Sequence, residues 1–263
     1  MPFRSDELRV AHSSDLHVDE GFTMRAWGGD GNAPLAAVIE AAVTSEAHVL
    51  VLAGDVFEHN RLKLETLEAS QVLLSNAPIP IVMLPGNHDP LTSESVWFRG
   101  NFMDIENVFV IGTDNLAIIH LPDIELAVWG RAHTSYDDMD PLNDPPKRPE
   151  KFYMALAHGH YTSERPSNTK PHASWLITPE NIQSTEADYV ALGHWNFFTP
   201  VGESSIPASY SGSPDHARTI NLVRLRENNL ARIERVKVNF PSDASYFNAD
   251  ETPLKIPTTA RQQ

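Results

Sequence analysis

Five short stretches join an apolar run to side chains that bind cations or move protons. They are "VAHSSDLH" (Val10–His17), "LAGDVFE" (Leu52–Glu58), "LPGNHD" (Leu84–Asp89), "ALAHGH" (Ala155–His160) and "ALGHWN" (Ala191–Asn196). The polar groups at their ends are Asp15 and His17, then Asp55, then Asn87 and His88, then His158, then His194. Two carboxylates, several imidazoles and an amide carbonyl suit borderline divalent cations such as Mn²⁺, Fe²⁺, Zn²⁺ or Ni²⁺. The chain has no cysteine, so a thiolate zinc site and disulfides are both excluded. Asp15 and His17, two apart on an extended chain, would point to one side and could hold one ion. Asp55 has oxygens enough to bridge two.

Such residues act together only if their strands meet. The first third of the chain alternates strand and helix. Leu8–Ala11 reads as a strand, "APLAAVIEAAVTSEA" (Ala33–Ala47) as an amphipathic helix with Pro34 in its first turn, and "HVLVLAGD" as a second strand. "LKLETLEASQVLLSN" follows as a helix, with Leu64, Leu67, Val72 and Leu74 as candidate buried positions, and "IPIVMLPGNHD" as a third strand. This alternation predicts parallel βαβ units. Later strands are expected in "NVFVIG", "LAIIHL", "IELAVWG", "KFYMALAHGH" and "ADYVALGHWN", and a hairpin in "TINLVRLRENNLARIERVKV" turning at Glu227–Asn229. "SYDDMDPLNDPPKRPEK" and "SERPSNTKPH" read as polar loops. Ligands in α/β proteins collect outside the carboxyl ends of strands, where all five polar endings fall. The expected organisation is one catalytic domain over residues 1–240, then a polar arm over 241–263.

The 263 residues carry 20 Lys plus Arg against 35 Asp plus Glu, a formal net charge of −15. No basic run offers a face to nucleic acid, so an anionic substrate must be drawn in locally, and bound cations do that best. No apolar run is long enough for a membrane span, and the first residues show no secretory h-region, which fits a cytoplasmic protein.

In order and spacing, "DLH", "GDVFE", "GNHD", "HGH" and "GHWN" resemble the five motifs of the calcineurin-like metallophosphoesterases, over roughly residues 7–215. Within that group "VAHSSDLH", "LAGDVFE", "LPGNHD" and the late "YSGSP" look most like the SbcD-type DNA repair exonucleases. The resemblance implies an α/β fold, a two-sheet β-sandwich flanked by helices in αββα layers, with two divalent ions, Mn most of all, between the sheet ends. It implies that Asp15 and His17 hold the first ion, that Asp55 bridges, and that Asn87, His158 and His194 hold the second. A bridging hydroxide would attack phosphorus while His88, oriented by Glu58, protonates the leaving group. The sequence departs from the family at Asn196, where a second histidine usually completes the first metal shell. An amide oxygen is a weaker donor there, so the first site is expected to bind less tightly.

Each motif alone has a plainer reading: Asp15 could cap a turn, and Gly54–Asp55 could be a turn pair. The ordered set outweighs these readings. His12, His48, His59, His120, His133, His172 and His216 read as structural or surface histidines, with His12, His133 and His216 nearest the motif turns. His160 reads as a supporting or substrate-facing group. Trp195, Phe197 and Phe198 read as packing aromatics, with base stacking as the alternative. The expected activity is phosphodiester hydrolysis. An SbcD-like exonuclease subunit is one alternative, although little chain follows Val238 to form the capping and ATPase-docking segments of that group. A catalytically impaired binding or regulatory protein, prompted by Asn196, is the other.

Overall fold

The computed structural model describes residues 6–113, 116–163, 175–202 and 205–241. The loop "SERPSNTKPH", His172 within it and the arm beyond Pro241 lie almost wholly outside the described residues.

The elements run β1 (Glu7–Ser13), α1 (Phe22–Ala26), α2 (Ala33–Thr44), β2 (Val49–Ala53), α3 (Leu64–Ser75), β3 (Ile81–Leu84), α4 (Val96–Arg99), β4 (Val108–Val110), β5 (Ile118–Leu121), β6 (Leu126–Gly130) and β7 (Phe152–His158). They continue with β8 (His160–Tyr161), β9 (Leu176–Ile177), α5 (Pro179–Ser184), β10 (Tyr189–Gly193), β11 (Thr199–Val201), β12 (Ala208–Tyr210), α6 (Pro214–Ala217), β13 (Thr219–Arg226) and β14 (Arg232–Lys237). Two six-stranded sheets result, ordered β14-β13-β1-β2-β3-β4 and β11-β12-β10-β7-β6-β5. In the first, β1 to β4 are parallel and β13 and β14 antiparallel. In the second, β6, β7, β10 and β12 are parallel, with antiparallel strands at both edges.

The near-continuous apolar strands follow from this layering, because each central strand is covered on both faces. Along β2, Val49, Val51 and Ala53 turn inward with Val10, Val82 and Leu84 against Val128, Met154, Leu156 and Ala191 of the other sheet. Leu50 and Leu52 turn outward onto Leu35, Val38, Leu67 and Leu74 of helices α2 and α3. On the far side, Tyr153, Ala155, Val190 and Leu192 are covered by Ile177 and Ile182. The layers are helix, sheet, sheet, helix.

Helix α2 starts at the expected residue but ends at Thr44, and Glu46 beyond it has a left-handed φ of 55°. In α3, Leu67 and Leu74 are buried, whereas Leu64 and Val72 are 51% and 58% exposed, against expectation. Val72 lies five residues past Leu67, about 140° around the helix, so it faces away from the stripe that meets the sheet. The hairpins β5–β6 and β13–β14 form as expected, the second turning through Asn228 at φ 60°. The short helices α1, α4, α5 and α6 were not legible in the sequence. None of the described helices is long and apolar enough to cross a membrane.

Candidate metal centre

The parallel strands of both sheets place their carboxyl ends at one edge of the sandwich, and the five motif turns meet there. Register links the turns directly. Gly193 of β10 pairs with His158 of β7, so His158 and His194 leave adjacent strand tips. Across the first sheet, Asp15 N donates to Gly54 O at 3.0 Å and His17 N to Asp55 O at 3.1 Å, which zips the "DLH" turn onto the "GD" turn. His88 N donates to Asp55 Oδ1 at 2.9 Å. His194 N donates to Asp15 Oδ2 at 2.9 Å, tying the two sheets together.

The backbone here is unusual. Asp15, His17 and Asp55 have φ values of 55°, 48° and 51°, and His194 has 110°. Non-glycine residues rarely take these values, and they concentrate where a site over-determines the chain. Asp15 and His17 are therefore not on extended chain as expected. The left-handed turn still brings His17 Nε2 to 4.0 Å from Asp15 Oδ1. Two glycines make room for the closest approaches. A Cβ on Gly54 would lie 2.2 Å from His158 Nδ1, and one on Gly86 would lie 2.2 Å from Asp55 Oδ1.

Two groups of ligand atoms share Asp55: Asp15, His17 and Asp55, and Asp55, His158 and His194. The fully buried His158 shows what the second group is built for. Its Nδ1 is 2.9 Å from the carbonyl oxygen of Ala53, which can only accept, so Nδ1 carries the hydrogen. Its Nε2 lies 3.0 Å from Asp55 Oδ2 and 2.9 Å from Asn87 Oδ1. In the neutral imidazole, with the Asn87 oxygen turned toward it, three lone pairs then face one another, and a proton or a cation resolves that. Spending the far nitrogen on a backbone carbonyl is also how metal-binding histidines are usually oriented. The residues fit divalent cations.

Without a cation a proton takes that place: burial lowers His158, but the charge and hydrogen bond of Asp55 and the charge of Asp15 together raise it to about 9. Burial is the largest single influence and would raise the Asp55 carboxyl, but the charge and hydrogen bond of His158 with the charges of His17 and His88 together outweigh it and hold Asp55 well below the usual range. Burial raises Asp15, and the charge of Asp55 raises it further. Two buried carboxylates that oppose each other's ionisation are relieved by a bound cation. His194 is pushed down to about 4 by burial and by His158, so its ring is neutral and its nitrogen is free to ligate at neutral pH.

Beside this centre, Glu58 meets His17 as well as His88. Its Oε2 is 2.7 Å from His17 Nδ1, and its Oε1 is 3.5 Å from His88 Nδ1. The closer hold on His88 Nδ1 comes from the backbone oxygen of Glu58 at 3.0 Å. The hydrogen bond to the Glu58 carboxylate raises His88 to about 9, against the opposing effect of burial. Asn196 follows His194 on the same turn, and its carbonyl accepts from Ser213 N at 3.1 Å. Its side chain has no hydrogen-bond partner among the described residues.

Two supporting residues were missed or undervalued. Asp89 is fully buried and accepts from Gly86 N at 2.6 Å and Phe57 N at 3.0 Å, clamping the "GNHD" turn to the "GDVF" turn. The sequence shows it only as one more acid after His88. His133 is buried, with Nε2 2.9 Å from the His158 carbonyl oxygen. His160 is exposed and meets Trp195, which stacks flat on Tyr210 at 4.2 Å. Phe198 lies under Arg235, and Phe197 is 55% exposed. His12 is buried away from the ligand atoms against Tyr189, and His216 bonds Ser213.

Comparison with known proteins defines the class. The calcineurin-like phosphoesterase family model matches residues 8–196, and the chain belongs to that family of phosphoric ester hydrolases. The solved structure of TT1561 of Thermus thermophilus has a TM-score of 0.55 at 14% identity, covering 88% of this chain and 99% of that one. A second solved structure has a TM-score of 0.55 at 13% identity, covering 87% of this chain and 99% of its own. At such identity these likenesses show the fold. No curated protein matches.

Proposed function

We propose that the chain is a phosphodiesterase that works with two divalent cations, Mn²⁺ best suiting the mixed carboxylate, imidazole and amide donors. The observation that carries this is the convergence of His158 Nε2, Asp55 Oδ2 and Asn87 Oδ1 with no hydrogen among them in the neutral state. Asp15 and His17 would hold the first ion with help from Asn196, Asp55 would touch both ions, and Asn87, His158 and His194 would hold the second. When bound, the pair supplies charge for the phosphoryl oxygens and water acidic enough to attack at neutral pH.

The remaining work falls to side chains. His88, with Nδ1 held by Glu58, lines an open groove and gives a proton to the departing oxygen. An alkoxide is too basic to leave without that proton, which is why a donor apart from the cations suits a phosphodiester. Glu58 keeps both His17 and His88 in place. Because Asp15 and His194 come from different sheets, residues 1–240 would act as one catalytic domain. The acidic surface favours a small phosphodiester over long nucleic acid, so the SbcD-like likeness extends here to chemistry more than to processive DNA cleavage.

The test is His88→Gln assayed on an unactivated diester, the dinucleotide thymidylyl-(3′→5′)-thymidine, with Mn²⁺, beside metal content per chain. We expect a loss of about 100-fold or more in kcat with cation content unchanged. Retained turnover would remove His88 from the chemistry, and a wild-type chain that binds no divalent cation would overturn the whole reading. Two bound ions without turnover on any phosphoester would favour a binding or regulatory protein.

A further inference from the structure

A groove of about 490 Å³ opens next to His88, lined by Glu58, His59, Asn60, Arg61, Asn87, His88 and Tyr136. Its volume is within the range of small-ligand sites. Two of its residues lack an evident structural task. In this acidic chain the cationic side chains are mostly engaged: Arg9 bonds Glu46 O, Arg99 the carbonyls of Asn60 and Leu62, and Arg148 bonds Asp188. The Arg61 guanidinium, like those of Arg25 and Arg232, has no partner among the described residues. Of the three, only Arg61 lines this groove. Tyr136 is 64% exposed on the opposite chain segment, so a large ring stands in solvent where packing gives it no reason to be.

The segment that carries Arg61 is held firmly. Asn60 Nδ2 donates to Pro90 O at 2.9 Å, Asn60 Oδ1 accepts from Val96 N at 3.0 Å, and Arg61 N donates to His59 Nδ1 at 3.2 Å. Arg99 clamps the carbonyls on either side of Arg61 at 2.8 and 2.7 Å. A braced backbone with a free guanidinium is a preorganised anion receptor, and the planar fork of arginine matches phosphate oxygens. The neighbouring Glu58 does not cancel it, because that carboxylate is committed to His17 and His88.

Building on the phosphodiesterase reading, we infer that this groove is the leaving-group subsite and that it takes a nucleotide, with Arg61 binding the leaving group's own phosphate and Tyr136 stacking on its base. The substrate class is then a short 5′-phosphorylated oligonucleotide, at minimum a dinucleotide. In the step, water oxygen bonds to the internal phosphorus and the bond from phosphorus to the 3′ oxygen breaks with its electron pair. The 3′ oxygen takes the proton of His88, and water's proton passes to solvent, from which His88 is recharged. Two nucleoside 5′-monophosphates leave.

The experiment compares a dinucleotide with and without its 5′-phosphate, using Mn²⁺-loaded wild type, Arg61→Gln, Tyr136→Ala and, as a control arginine, Arg25→Gln. The wild type should favour the phosphorylated form in kcat/KM by about tenfold or more, and Arg61→Gln should abolish that preference through KM. Tyr136→Ala should raise KM for both forms by about fivefold or more. Arg25→Gln should keep the wild-type preference. A preference that survives Arg61→Gln overturns the inference while leaving the phosphodiesterase reading intact. If the wild type turns over no phosphoester, calorimetry of adenosine 5′-monophosphate with chelator-treated protein decides. Binding weakened about tenfold by Arg61→Gln supports the subsite, and equal or absent binding sinks it.

Discussion

Replacing Gly54 by alanine tests whether the site depends on close approach rather than on ligand identity. Gly54 has a φ of +93°, and an added Cβ would sit 2.2, 2.5 and 2.8 Å from Nδ1, Cγ and Cβ of His158. The imidazole has nowhere to retreat, since it is fully buried and its Nδ1 is bonded to Ala53 O. The left-handed backbone adds about 1–2 kcal/mol of strain for a residue with a Cβ. Forcing a methyl group into a filled interior adds about 1–3 kcal/mol. The sum, about 2–5 kcal/mol, should lower the melting midpoint by about 4–20 °C in a chain of this size. Thermal unfolding followed by circular dichroism in EDTA measures it without any cation contribution. The same variant should bind divalent cations more weakly by calorimetry, because His158 must swing away from Asp55 and Asn87. The double variant Gly54→Ala with His158→Ala removes the clash but keeps the backbone strain. It should therefore cost about 1–3 kcal/mol less than the two single changes added. A Gly54→Ala midpoint within about 1 °C of wild type, with cation affinity intact, would show that the spacing around His158 is not as tight as argued.

Asp89→Ala leaves the buried amides of Gly86 and Phe57 without an acceptor and should cost about 2–6 kcal/mol by urea unfolding, at about 1–3 for each. His12 is held down to about 3 by burial, with the charge of Arg235 adding to it, so it folds neutral and binds fewer protons than in the unfolded chain. Stability should thus fall as pH drops from about 6.5 toward 3, and His12→Asn should flatten that limb in EDTA; an unchanged slope would assign acid sensitivity elsewhere. Asn196→His should strengthen the weaker of the two cation sites in a calorimetric titration with Mn²⁺, and identical isotherms would take Asn196 out of the ligand shell.

Much of the fold was written in local pattern. The alternation of apolar strand and amphipathic helix from Leu8 to Leu84 is a property of neighbours in sequence, and so is the turn chemistry around Asn228. Both appear as read. The five polar strand endings were equally visible, because an Asp or His directly after "LVLAG" or "MALA" breaks the apolar run at one point. Helix α3 was harder. Leu64, Leu67, Val72 and Leu74 are alike in hydrophobicity, and only the angle at which the helix meets the sheet separates the buried pair from the exposed pair.

What sequence could not decide is distance between segments far apart along the chain. It named His158 as a ligand, but the meeting of Nε2 with Asp55 and Asn87 depends on the register of β7 beside β10 and on how the two sheets face each other. It assigned Glu58 to His88 alone, and the left-handed turn at His17 brings a second imidazole to the same carboxylate. It assigned no partner to Asp89 and read His133 as structural or surface, because the partners of both are backbone groups that carry no side-chain signature. It gave Arg61 and Tyr136 no role. Residue types and their order are local and can be read along a line. Which lone pairs confront one another, and which cation stays unpaired, is settled only when the two sheets close and fix the separations in three dimensions.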